Sequence, residues 1–126
     1  MKTEIQGRGY NAEQLVADYL QQQGYTILAR NYTIKSGEID IIARKDEVVA
    51  FVEVKMRSTH YFNLSLVVDR SKQRKIIITA LHYATRNSYT QHVLRFDVAL
   101  VESNLENDTL NINYIPNAFT APENMV

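Results

Sequence analysis

Two short stretches of this 126-residue chain hold the residues best placed to do chemistry: Gly37-Glu-Ile-Asp-Ile-Ile-Ala-Arg44 and Val48-Val-Ala-Phe-Val-Glu-Val-Lys-Met-Arg57. In both, charged residues alternate with aliphatics, the period of two that marks β-strands. Glu38, Asp40, Ile42 and Arg44 share one face of the first strand, opposite Ile39, Ile41 and Ala43. In the second, Glu53, Lys55 and Arg57 stand with Val49 and Phe51, opposite Val48, Ala50, Val52, Val54 and Met56. The odd positions of the first and the even positions of the second therefore form one wholly apolar face. A hairpin turning about Asp46 and Glu47 pairs residues whose numbers sum to 93, which predicts Asp40 across from Glu53 and Glu38 across from Lys55. Cross-strand Cβ atoms lie roughly 4.5 to 5.5 Å apart, so the two carboxylates would face one shared ion.

Carboxylates forced together repel, and the arrangement persists when a divalent cation or a proton lies between them. Magnesium suits such a pair. It takes hard oxygen ligands at ~2.1 Å and commonly uses only one or two carboxylates, leaving water and substrate phosphate to complete the octahedron. Zinc is disfavoured: the chain has no cysteine, and His60, His82 and His92 show no ligand-like spacing. Lys55 projects from the face that carries Glu53, where an ammonium could stabilise a hydroxide nucleophile or the charge growing on a phosphate. Spacing alone equally allows Glu53 and Lys55 to form ion pairs with Glu38 and Asp40 on a solvated face, each worth under ~1 kcal/mol.

The elements that must position these residues follow from pattern. Ala12, Leu15, Val16, Tyr19 and Leu20 form the stripe of an amphipathic helix over 11–23, capped by Asn11 and ended by Gly24. Residues 25–32 read as a strand, followed by the two strands of the charged hairpin. Residues 58–68 read as a loop beside the site. A second helix starts at Asp69 or Ser71 and runs to about Arg86, with Gln73, Ile77, Ala80, Leu81 and Ala84 on one face. Residues 94–101 and 110–115 read as two further strands, and the tail after Pro116 as irregular. The predicted order is α-β-β-β-α-β-β, an α/β fold with one mixed sheet flanked by helices. With no linker or repeat, residues 1–126 read as one domain.

Composition narrows the function classes. All 14 Lys and Arg lie at or before Arg95; residues 1–101 carry 14 bases against 10 acids, a net +4, and Glu102, Glu106, Asp108 and Glu123 balance it. A mildly basic body is compatible with a polyanionic partner. Arg70, Lys72, Arg74 and Lys75, with Gln73 among them and Arg57 nearby, are candidates for phosphate contact, a contact that confers affinity without sequence information. Tyr61 and Phe62 could stack on exposed bases, with packing the expected role of at least one of them. No apolar run approaches a membrane span and the N-terminus lacks a secretory core segment, so the expectation is a cytoplasmic protein with no membrane partner. There is no Ser/His/Asp triad pattern and no phosphate-cradling glycine loop. Glu13, in the first turn of the first helix, suits the helix dipole whatever the protein does, yet lies beside the apolar stripe. Asp97 is expected to make a structural hydrogen bond, but no ion pair with Arg95, because the two flank one residue and share a face at a distance.

Asp40 followed, after a short hairpin, by Glu53-Val54-Lys55 resembles the PD-(D/E)xK nuclease superfamily. More narrowly, Gly9, Glu13, Ala17, Tyr19-Leu20, Gly24-Tyr25, Arg30-Asn31, residues 37–40, residues 51–55, Arg57 and Arg95-Phe96-Asp97 resemble the YraN-like family of small bacterial proteins, over nearly the whole chain. That family is similar to archaeal Holliday-junction resolvases. The resemblance implies a restriction-endonuclease-like α/β core, Mg²⁺ (or Mn²⁺), and DNA, branched or single-stranded, as substrate. By the same resemblance Asp40 and Glu53 would ligate the metal, with the Val54 carbonyl and Glu13 as further ligands and Lys55 as the catalytic lysine; a homodimer follows by analogy alone. Glu38 reads as an outer-shell acid or as a salt-bridge partner of Lys55. The superfamily's proline is replaced by Ile39, a departure that touches no ligand. The competing reading is a non-catalytic nucleic-acid-binding module on the same fold.

Overall fold

The computed structural model describes residues 11–57, 68–104 and 106–122, and the backbone of residues 4–6. Its elements are β1 (Glu4–Gln6), α1 (Ala12–Gln22), β2 (Thr26–Ile34), β3 (Gly37–Lys45), β4 (Val48–Arg57), α2 (Arg70–Arg86), β5 (Val93–Asn104) and β6 (Thr109–Phe119). From α1 onward the order is the predicted α-β-β-β-α-β-β, and a short N-terminal strand joins the sheet edge. The six strands lie in the order β1-β6-β5-β4-β3-β2. Only β4 and β5 are parallel. Parallel neighbours need a long crossover, and α2 provides it.

Each helix covers one face. Asn11 caps α1 by accepting from the Gln14 N–H at 3.2 Å. At its other end Gly24 takes φ +94°, and the Tyr25 N–H closes on the Leu20 carbonyl at 3.0 Å. Leu15, Val16 and Leu20 pack there on Ile41, Ala43, Ala50, Val52, Ala99 and Val101. On the opposite face, Ile76, Ile77, Ala80 and Tyr83 of α2 pack on Ile42, Val49, Phe51, Phe96, Val98 and Leu100. The face carrying Glu53 and Lys55 is thus no solvated surface but the margin of a second core.

The hairpin register is as predicted: Lys45 faces Val48 and Ile41 faces Val52, the numbers summing to 93. A two-residue turn with Asp46 at φ +54° sets it. Strict alternation, however, fails in β3. Ile39 joins the α2-side core while Ile41 joins the α1-side core, so the expectation of one face for both is corrected. Arg30 pairs with Ile41 and Tyr32 with Ile39, which leaves Asn31, at φ +52°, opposite Asp40. The left-handed residue twists the ribbon locally at that point.

The tail also differs from expectation, since β6 continues to Phe119 rather than stopping near Pro116. Pro116 costs no ladder bond there: the β5 register passes from Val98–Ile115 to Phe96–Phe119, leaving residues 116–118 in a bulge. Gly37 marks where β3 meets α2. A Cβ at this position would lie 2.8 Å from Thr79 Oγ1 and 3.2 Å from the Lys75 carbonyl. Gly37→Ala is therefore expected to destabilise the fold by about 1–3 kcal/mol. Urea unfolding at neutral pH checks this, and an unchanged midpoint would show that α2 is free to give way.

Candidate active site

The β3–β4 ladder ends at Ile41–Val52, and the strand ends beyond it frame an open cleft of about 530 Å³. Gly37, Glu38 and Asp40 line it from β3, Glu53, Val54 and Lys55 from β4, and Asp69, Ser71, Lys72, Lys75 and Ile76 from the start of α2. In place of a ladder bond, the Asp40 carboxylate accepts the Val54 N–H at 2.8 Å. The side chain is thereby held at the strand end, beside Glu53. Glu53 is buried, with 7% of its surface exposed, because it shares a face with the core residue Phe51 and the start of α2 lies over that face. Lys72 forms an ion pair with the Glu53 carboxylate. The cleft therefore has an acidic floor and a lysine-bearing wall.

Asp40 responds to this setting. Burial and the neighbouring Glu53 carboxylate push its pKa up to about 7, against the lowering influence of the Val54 N–H and Lys72. Such a pair takes up a proton near neutrality unless a cation replaces it. The sign for stability follows. Between the ordinary value of 3.8 and about 7, the folded protein binds more protons than the unfolded chain, so the slope of unfolding free energy with pH is negative. Without divalent cations this contribution should be present below about pH 4 and lost as pH rises to 7. Urea titrations in EDTA across that window check it: Asp40→Asn should flatten the decline, and a wild-type decline identical to that of Asp40→Asn would rule out the source.

The oxygen donors suit a hard cation. Two adjacent carboxylates lining an open cleft match magnesium, which keeps several water ligands, and no imidazole or thiolate lies beside them among the lining residues. Of the two described histidines, His82 bonds Tyr32 through Nδ1 at 2.7 Å and His92 packs edge-on against Tyr89; neither lines the cleft. No group of three or more His, Asp or Glu side chains converges among the described residues.

The other candidates divide. Glu38 and Lys55 lie at the cleft, while Glu13 faces Arg30 at 3.9 Å and does not line it. Arg57 ends β4, in register with Glu102 and outside the cleft lining. The basic run splits across α2: Lys72 and Lys75 face the acids, whereas Arg70, Gln73 and Arg74 line a separate pocket of about 610 Å³ with Ile77, Thr120 and Pro122. Helical spacing separates them, since positions 70, 73, 74 and 77 form one stripe. The Gln73 amide also donates to the Val68 carbonyl at 3.0 Å. Asp69 and Ser71 were not singled out as cleft residues from sequence; the visible signal was a helix start, and Asp69 does cap α2 by accepting the Lys72 N–H at 2.9 Å. Tyr61, Phe62, His60 and most of the expected loop lie outside the described residues.

The model of a known family, described as uncharacterised protein family UPF0102, matches residues 12–101. The chain belongs to that family. A UPF0102 protein of Clostridium perfringens is 38% identical over 120 residues, covering 94% of this chain and 98% of its own length. UPF0102 proteins of Nitrosomonas europaea and Caldanaerobacter subterraneus are each 42% identical over 113 residues, covering 89% and 88% of this chain and 92% and 93% of their own. Shared length on this scale means that the UPF0102 match spans both helices, the charged hairpin and most of β5. Among the described residues no helix is long and apolar enough to cross a membrane.

Proposed function

We propose that this UPF0102 protein is a metal-dependent nuclease that hydrolyses DNA phosphodiester bonds, with Asp40 and Glu53 holding Mg²⁺ or Mn²⁺. The observation that carries the reading is the pair of adjacent carboxylates, one of them pushed up to about 7, at the floor of a cleft walled by lysines. Glu53 is paired with Lys72, yet a second acid, Asp40, is held beside it by the Val54 N–H, an arrangement that one ion bridge does not call for. The cation would supply Lewis acidity toward the phosphate and toward a bound water.

The chain's own residues then have distinct tasks. Val54 aims Asp40 through its N–H. Lys55, at the cleft, would orient the attacking water or balance charge developing on the phosphate. Lys72 and Lys75 would meet the flanking phosphates, and Arg70 and Arg74 a more distant stretch of backbone. Glu13 has no part in this proposal, since it faces Arg30. Branched or single-stranded DNA is the substrate class that the resemblance to resolvases favours.

The test is cleavage of labelled single-stranded, flap and four-way-junction DNA in Mg²⁺, Mn²⁺ and EDTA. Cleavage that EDTA abolishes is the expected result. Binding to these DNAs with no cleavage under any metal would replace the nuclease by a non-catalytic nucleic-acid-binding module.

A further inference from the structure

Lys72 reaches the buried acid of the cleft from the start of α2. Its ammonium is paired with Glu53, whose side chain is only 8% exposed, while the lysine side chain itself is 43% exposed. The acid is fixed and buried; the base reaches in from the solvent side. The Lys72 backbone is also fixed, because its N–H is the bond that caps α2 on Asp69. Freedom therefore resides in the four-carbon side chain alone, which can swing without moving the helix.

Leaving a buried carboxylate without a counter-ion is costly. Lys72 provides that counter-charge to Glu53. A divalent cation on the same carboxylate would make the ammonium redundant and repel it. A phosphate at the cleft mouth would offer Lys72 an accessible anion in exchange.

We infer that Lys72 is an exchangeable counter-ion for Glu53, displaced by the divalent cation and captured by nucleic-acid phosphate, so that DNA and metal each promote binding of the other through this one side chain. The inference rests on the metal-site reading above, and Lys72 acts in it as a positioning residue. Coupling is reciprocal by linkage: what DNA adds to metal affinity, metal adds to DNA affinity. Lys75 supplies the control. It lines the same cleft and carries the same charge, but the Glu53 ion pair belongs to Lys72.

Mn²⁺ binding to the full chain, followed by electron paramagnetic resonance with and without a single-stranded phosphorothioate oligonucleotide, tests this. Without DNA, Lys72→Gln should tighten Mn²⁺ binding about tenfold, Lys75→Gln by under about threefold, and Lys72→Arg should stay near the wild type. DNA should tighten Mn²⁺ binding to the wild type more than to Lys72→Gln. Equal effects of Lys72→Gln and Lys75→Gln would reduce Lys72 to one more positive charge and overturn the exchange, even if the wild type cleaves DNA. Absence of Mn²⁺ binding in every variant would overturn the exchange together with the metal site. Normal exchange without DNA cleavage would uphold it while removing hydrolysis from the proposed function.

Discussion

Asp40→Ala is expected to lower DNA cleavage by roughly 10³-fold or more, about 4 kcal/mol of transition-state stabilisation, while leaving the folded state at least as stable as the wild type in EDTA at pH 8. The two halves have one cause. Asp40 stands beside Glu53 in a partly buried setting that already disfavours its ionised form, so removing it relieves repulsion in the metal-free protein. It also removes one of two carboxylates available to a cation at that floor, which is where the reaction would lose. The change frees the Val54 N–H, and Asp40→Asn, which keeps an acceptor there, separates that effect from the loss of charge. DNA affinity should hold or rise in both variants, because a negative charge facing phosphates is gone. Gel-shift titration, metal-dependent cleavage and urea unfolding on the same preparations give the three numbers. Undiminished cleavage by folded Asp40→Ala would end the assignment of the site to Asp40, and Lys55→Ala would be the next variant to separate site from contaminant.

A different acid should dominate stability. Asp97→Ala is expected to cost about 3 kcal/mol, with a fall in Tm of roughly 10 °C for a chain of this length. Asp97 is fully buried on the α1 face of β5, and its two oxygens serve four donors. Arg95 Nε reaches Oδ1 at 2.9 Å and Arg95 Nη2 reaches Oδ2 at 2.8 Å; the Tyr114 hydroxyl donates to Oδ2, and the Asn117 N–H to Oδ1 at 2.9 Å. Arg95 also donates to the Tyr25 hydroxyl at 2.7 Å, so the cluster ties β5 to the β6 bulge and to the turn after α1. Burial and the Asp97 charge hold the Tyr114 phenol well above its ordinary range. Truncation would leave Tyr114 and Asn117 without their acceptor and Arg95 without its counter-ion. The Arg95 side chain is 22% exposed, and water reaching it keeps the cost at the lower end for a broken buried pair. Cleavage per folded molecule should survive at low temperature, since the cluster lies on the sheet face away from the cleft. A loss below about 1 kcal/mol would mean that water substitutes for the carboxylate throughout.

The same cluster corrects the expectation that Arg95 and Asp97 do not pair. Two residues apart on one strand face they are separated at the backbone, yet the arginine side chain is long enough to turn back on the carboxylate. The bulge at 116–118 lies opposite Asp97 and turns the Asn117 N–H onto its carboxylate. Neither event leaves a trace in local sequence, because the bulge belongs to the pairing of β5 with β6 and not to either strand alone.

What the sequence by itself determined was whatever depends on neighbours along the chain. Helical spacing placed α1 and α2, period-two alternation placed the charged hairpin, and the two-residue turn at Asp46 set the register that brings Asp40 toward Glu53. Residue types at that register brought Asp40, Glu53 and Lys55 together but left a metal site and plain ion pairs equally open; the family resemblance chose between them. The tertiary structure alone decided which side chains meet across elements. Docking of α2 over the charged face buried Glu53, gave it Lys72 as counter-ion and brought Asp69 and Ser71 to the cleft. The helix also carried Arg70 and Arg74 to its far side, and α1 held Glu13 against Arg30. These outcomes follow from packing two helices on opposite faces of one twisted sheet, a balance of burial summed over the whole molecule that no single stretch of residues encodes.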